Sequence, residues 1–170
     1  MATATYYFDG HVSISDPDNN WTNDSNAFNG NTANYAEGAN SGTSSTNELY
    51  GAGTTCPTTG GTITQVRIRV YRAAQGLSAG WTSYYTLSTP SGGFSWDLLS
   101  KLECLLYAEN DGFGGHILRS VFYTEGQGES LLTQNLGSGS NISTYFGRFY
   151  AIELEVTYTT NTTNFFAAMV

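Results

Sequence analysis

Thr62-Ile63-Thr64-Gln65-Val66-Arg67-Ile68-Arg69-Val70-Tyr71 alternates with period two: Val66, Ile68 and Val70 fall on one side, Gln65, Arg67 and Arg69 on the other. Successive side chains of an extended chain point to opposite faces, so the stretch predicts a strand with one packed face and one wet face. Phe149–Tyr158 repeats the pattern. There Ile152, Leu154, Val156 and Tyr158 share one side, and Glu153, Glu155 and Thr157 share the other. One-sided strands suit stacked antiparallel sheets; strands of parallel sheets are apolar on both faces. The predicted fold class is therefore all-β, an antiparallel β-sandwich.

Composition agrees. The chain has 170 residues with 12 Tyr, 20 Gly and only 6 Lys plus Arg, and is rich in Ser, Thr and Asn. β-branched and aromatic residues fit a pleated, half-buried surface, and Gly, Asn, Ser and Thr fit turns. The length predicts one domain, assigned to residues 1–160, that buries about 70% of the unfolded surface and needs no disulfide or metal for a core. Cys56 and Cys104 are expected as free, buried thiols.

Further strands are expected around Tyr6–Phe8, near 33–37 and 47–51, and at Thr82–Thr89, Glu103–Ala108 and His116–Tyr123. Asp16-Pro17-Asp18-Asn19 reads as a turn, and Gly-rich breaks fall at 76–80, 91–93, 112–115 and 137–139. One segment departs from the β pattern. Ser95 stands as an N-cap before Trp96-Asp97-Leu98-Leu99-Ser100-Lys101-Leu102, whose leucines recur at helical spacing, so a short helix is predicted near residues 96–102.

Charge narrows the partners. Fourteen acidic against six basic residues give −8, and the largest basic group is Arg67, Arg69 and Arg72. Phosphate recognition needs clustered Lys and Arg, so neither nucleic acid nor an anionic membrane is an expected partner. The opening Met1–Phe8 carries no basic n-region and no apolar h-region, which predicts a chain without a secretory leader.

Candidate chemistry is sparse. Gly76-Leu77-Ser78-Ala79-Gly80 matches G-x-S-x-G, with Asp97 or Asp111 and then His116 in hydrolase order. The following Trp81–Thr86 reads as a strand where that motif needs a helix, so a Gly-rich hairpin loop is the expected structure. His11 and His116 share no metal-ligand spacing. Asp16–Asn20 begins like a calcium loop, but Trp21 and Ala27 occupy the Gly and Glu positions of an EF-hand. The expectation is no enzyme and no cofactor. Trp21, Trp81 and Trp96 are candidates for stacking on sugar faces; the alternative is that they fill the core or a subunit contact. The tail at 161–170 is apolar after a polar spacer, and Phe165, Phe166, Met169 and Val170 are expected to dock on a neighbouring subunit.

Asn26-Ala27-Phe28-Asn29-Gly30-Asn31-Thr32-Ala33-Asn34-Tyr35 resembles the opening motif of discoidin-like (galactose-binding-like) jelly-roll domains. Residues 62–70 and 151–159 resemble that fold's I-T-x-V-x-I strand and its last strand. The order Trp21-Thr22-Asn23, then residues 61–70, then Val156-Thr157-Tyr158-Thr159 is similar to a variant found among tailed-phage structural proteins. The resemblance implies a jelly roll acting as a virion decoration, cement or fibre-associated protein. Such a protein would be made in host cytoplasm and form a symmetric oligomer, such as a trimer, in contact with virion proteins such as a major capsid protein. Its runner-up is a carbohydrate-binding module for adhesion or host recognition. The family's calcium-holding Asp is Asn29 here, so Asn29 and Asn31 offer calcium carbonyl oxygens with less charge.

Overall fold

A computed structural model describes residues 1–39, 48–73, 78–110, 116–139 and 145–160. The two stretches that decide the fold class pair with each other. β5 (Ile63–Ala73) lies antiparallel to β11 (Tyr145–Tyr158), with Val70 opposite Ile152, Ile68 opposite Leu154 and Val66 opposite Val156. All six of these side chains are fully buried.

Two layers grow from this pair. In the first, the other edge of β11 takes the opening half of β1 (Ala2–Ser15), Ala2 to Tyr7, and the short β3 (Ala36–Ala39). β3 in turn carries β2 (Trp21–Thr22), and β6 (Gly80–Trp81) and β7 (Tyr85–Thr86) pair with the far edge of β5. In the second layer, the later half of β1 pairs with β4 (Leu49–Thr54), followed by β8 (Glu103–Asn110), β9 (His116–Tyr123) and β10 (Ser130–Gly139). All these pairings are antiparallel.

β1 therefore serves both layers, and its register breaks between Phe8 and Ser13 where it crosses. Gly10 sits in that break with φ +59, a left-handed backbone that favours glycine. The opposite side is closed by the segment after β7. Leu87 N–H donates to Val66 O at 2.9 Å, and the next N–H, of Ser88, donates to Leu131 O on β10 at 2.8 Å. The Arg72 guanidinium spans the same seam to Leu136 O.

One core fills the space between the layers, joining Phe8, Phe28, Phe122 and Phe149 to the β5 and β11 aliphatics. Phe8 lies 6.3 Å from Phe28 and 5.8 Å from Phe122, ring centre to ring centre. Gly51 permits this: a Cβ there would meet the Phe28 ring at 2.6 Å. Cys56 and Cys104 are free and buried, and burial pushes the Cys56 thiol up to about 11.

The helix is real but shorter than predicted. α1 spans Trp96–Ser100, and the Ser95 side chain caps it by accepting from Leu98 N–H at 3.0 Å. Thr54 Oγ1 on β4 donates to Leu99 O, and buried Leu102 turns the chain into β8 instead of extending the helix.

Two further expectations need correcting. Thr82–Thr89 is not one strand, because Thr82 takes a ladder place with its side chain. Its hydroxyl accepts from Val70 N–H at 3.0 Å, and the chain rises off the sheet at Ser83 and Tyr84 before β7. Residues 137–139 are not a break. They continue β10 beyond a register shift between Asn135 and Gly137.

Candidate functional site

The pairing that buries six aliphatic side chains forces their alternates outward. On the outside of the first layer, Arg69 stands opposite Glu153 and Arg67 opposite Glu155. Arg69 donates from Nε to Glu153 Oε1 at 2.8 Å and from Nη2 to Oε2 at 3.0 Å. Arg67 donates from Nε to Glu155 Oε1 at 2.9 Å.

The rise at Ser83–Tyr84 lays an aromatic lid over these pairs. The Arg69 guanidinium lies 4.3 Å from the Trp81 ring and 4.8 Å from the Tyr84 ring, and Arg67 lies 4.6 Å from Tyr84. The Tyr84 hydroxyl reaches past both arginines and donates to Glu153 Oε1 at 2.5 Å. Glu153 is thereby 3% exposed, with an arginine and a tyrosine on its carboxylate. Burial first, then the bond to Glu153 and the nearby negative charge, push the Tyr84 phenol up to about 12.

A row of half-buried rings continues from the lid. Trp81 packs on Tyr71 at 5.1 Å, Tyr71 on Tyr150 at 5.2 Å, and Tyr150 on Tyr35 at 5.3 Å. Tyr150 joins the row because β11 bulges between Phe149 and Ala151. Arg148 closes the far end, 4.5 Å over the Tyr35 ring and 3.0 Å from Glu37. Thr3, Thr5, Gln65 and Thr157 make the opposite end of the face uncharged and polar. Arg67, Arg69 and Arg148 are each matched by a glutamate, so the face is neutral on a chain carrying −8.

The residues singled out from sequence divide around this face. Trp81 belongs to it. Trp21 and Trp96 do not: at 6% and 5% exposure they are core residues and present no ring to a ligand. Trp21 packs on Phe149 at 5.7 Å, and Trp96 stands edge-on to Tyr6 and Tyr158 while its Nε1 donates to Gly61 O at 2.6 Å. The oxygens of Asn29 and Asn31 accept backbone N–H groups two residues on, from Asn31 and Ala33. Those bonds shape the loop itself. Asp16 likewise caps its turn, accepting from Asn20 and Trp21 N–H. Among the described residues, no three His, Cys, Asp or Glu side chains converge as metal ligands.

Ser78 precedes β6, a strand, so the helix that a nucleophile elbow requires does not follow it. Asp97 is exposed and paired with Lys101 on α1, and His11 is paired with Asp9. Gly76, Leu77, Asp111 and the tail residues Phe165, Phe166, Met169 and Val170 lie outside the described residues. No protein-family model, curated protein or solved structure matches the chain.

A second polar feature lies outside the other layer, where an open groove is lined by Ser15, Pro17, Glu48, Tyr50, Leu105 and Gln127. Beside it, buried Glu103 accepts from Tyr50 OH and from the N–H groups of Gly126 and Gln127, pinning the β9–β10 turn.

Sequence reasoning placed the arginines and glutamates outward but missed Tyr35, Tyr71, Tyr84 and Tyr150. Tyr71 follows from the alternation of β5. Tyr150 depends on a bulge and Tyr84 on a chain excursion, neither of which has a periodic signal.

Glu153→Ala leaves Arg69 and the Tyr84 hydroxyl without their shared acceptor. A loss of about 3 kcal/mol is expected, the low end for a broken buried pair, because Arg69 keeps some water. Glu153→Gln retains one carbonyl acceptor and loses less; urea denaturation of both variants measures the difference. The raised Tyr84 pKa sets a pH window as well. The folded state holds the phenol proton more tightly than the unfolded state, so the stabilisation is full below about 10 and is lost as pH rises through about 12. Tyr84→Phe should flatten the decline in unfolding free energy between those values.

Proposed function

We propose that this protein is a non-enzymatic structural protein of a tailed-phage-type virion, a capsid decoration, cement or fibre-associated component that works through contacts between subunits. The observation that carries the reading is the neutral face of interlocked Tyr, Trp and Arg on the first layer. Aromatic residues and arginine are enriched at protein interfaces. The virion context is supported by the Trp21-Thr22-Asn23 opening and the two strands that resemble phage jelly rolls. Partners on this reading are copies of the chain and shell proteins such as a major capsid protein. The apolar segment at 164–170 would supply a further contact.

A carbohydrate-binding module is the second reading, favoured by the half-buried Trp81 and Tyr71 on an open sheet face. Their geometry suits it less well. Tyr71 stands at 75° to Trp81 and at 84° to Tyr150, so neighbouring rings present edges to each other, not one flat platform for sugar rings.

Mass spectrometry of gradient-purified particles from cells producing the virus tests the first reading. The chain is expected in intact particles at a fixed ratio to the major shell protein. Its absence from particles, together with glycan-array binding that Trp81→Ala abolishes, would establish the second reading instead.

A further inference from the structure

The distribution of charge over the surface identifies a specific partner for the aromatic face. Two chains at −8 repel each other. At physiological salt that repulsion is screened over about 8 Å, so the charges within a contact decide whether it forms. With Arg67, Arg69 and Arg148 matched by Glu155, Glu153 and Glu37, the remaining side chains hold all the surplus acid: eleven acidic residues against Arg72, Lys101 and Arg119. Within the paired stretches 2–7, 63–73 and 148–158 of the first layer the only acids are Glu153 and Glu155, and both are matched.

From these observations we infer that the outer face of the β1–β11–β5 layer is where a second copy of this chain docks, as a two-fold pair. The inference rests on the reading that the protein works through subunit contacts, and it names the partner. An acidic partner would call for unmatched positive charge on this face, and each arginine there already has its glutamate. The face suits its own copy. A two-fold contact sets one patch against the same patch turned by 180°. A face with equal numbers of positive and negative groups complements itself in that arrangement, whereas an acidic face would repel its copy.

The side chains fit the same role. Trp81, Tyr71, Tyr150 and Tyr35 are held by one another and by Arg69 and Arg148, so little rotamer freedom remains to be lost on docking. The chain's one lysine, Lys101, lies elsewhere, at the C-cap of α1.

Sedimentation velocity on the full chain, from about 1 to 100 µM, tests this. Wild type is expected to move from a species of 18.3 kDa to one of twice that mass. Gln65→Glu places an acid on the polar end of the face, where exposed Gln65 stands opposite Thr157. It is expected to weaken the pair at least tenfold without lowering the melting temperature. Trp81→Ala is expected to do the same. Thr133→Glu, exposed on β10 in the other layer, should leave association unchanged. Raised salt should strengthen the pair by screening the net repulsion.

A chain that stays monomeric over the whole range overturns the inference, as does an oligomer insensitive to Gln65→Glu or weakened by salt. Should Trp81→Ala unfold the chain, Gln65→Glu still decides. A monomer that is nevertheless found in particles would refute the self-contact alone. A pair that forms as described but is missing from particles would refute the virion reading alone.

Discussion

The antiparallel pairing of Ile63–Ala73 with Tyr145–Tyr158 is the constraint on which the rest of the molecule depends. Side chains alternate with period two, so a single register decides two surfaces at once. Inward it buries Val66, Ile68, Val70, Ile152, Leu154 and Val156; outward it sets Arg67 and Arg69 against Glu155 and Glu153. A slip by one residue would carry the charges into the core and the aliphatics into water. The magnitudes divide the labour. Each buried aliphatic contributes about 1.5–3 kcal/mol relative to exposure, while a partly exposed ion pair such as Arg67–Glu155 contributes at most about 1 kcal/mol. Stability comes from the inner face, and the outer face chiefly reports and refines the register.

Everything else attaches to this pair. β1 joins β11 and then leaves it to begin the second layer, turning at Gly10, so the two layers share a strand. On the other side, Ser88 and Arg72 bond to the carbonyls of Leu131 and Leu136, and the sandwich is nearly closed. A closed sandwich leaves few free strand edges for association. On the outer face of the first layer, Trp81, Tyr71, Tyr150 and Tyr35 lie beside arginines that each have a glutamate.

Much of this was legible in the residues. The strict alternation at 65–70 and 152–158 announces the central pair, because one wet and one dry face demand it. Ser95 with its following leucines announces α1, though buried Leu102 draws the chain into β8 before the predicted end. Local patterns could not supply features set by tertiary contacts. The strand character of 137–139 comes from pairing with β9 and not from its Gly and Ser residues. The loss of regular pairing in Thr82–Thr89 follows from one hydroxyl and from Tyr84 reaching Glu153. Two of the three tryptophans weighed between sugar platform and core are core residues, since residue type alone does not tell a buried indole from an open one.

Native-state hydrogen exchange tests the central role of the β5–β11 pair most directly. The account predicts that amides in its shared ladder, such as those of Arg67, Arg69, Glu153 and Glu155, exchange only by global unfolding and carry the highest opening free energies among the described residues. If they open more readily than the β8–β9 ladder of the second layer, the pair is not the element on which the fold depends, and the account is contradicted.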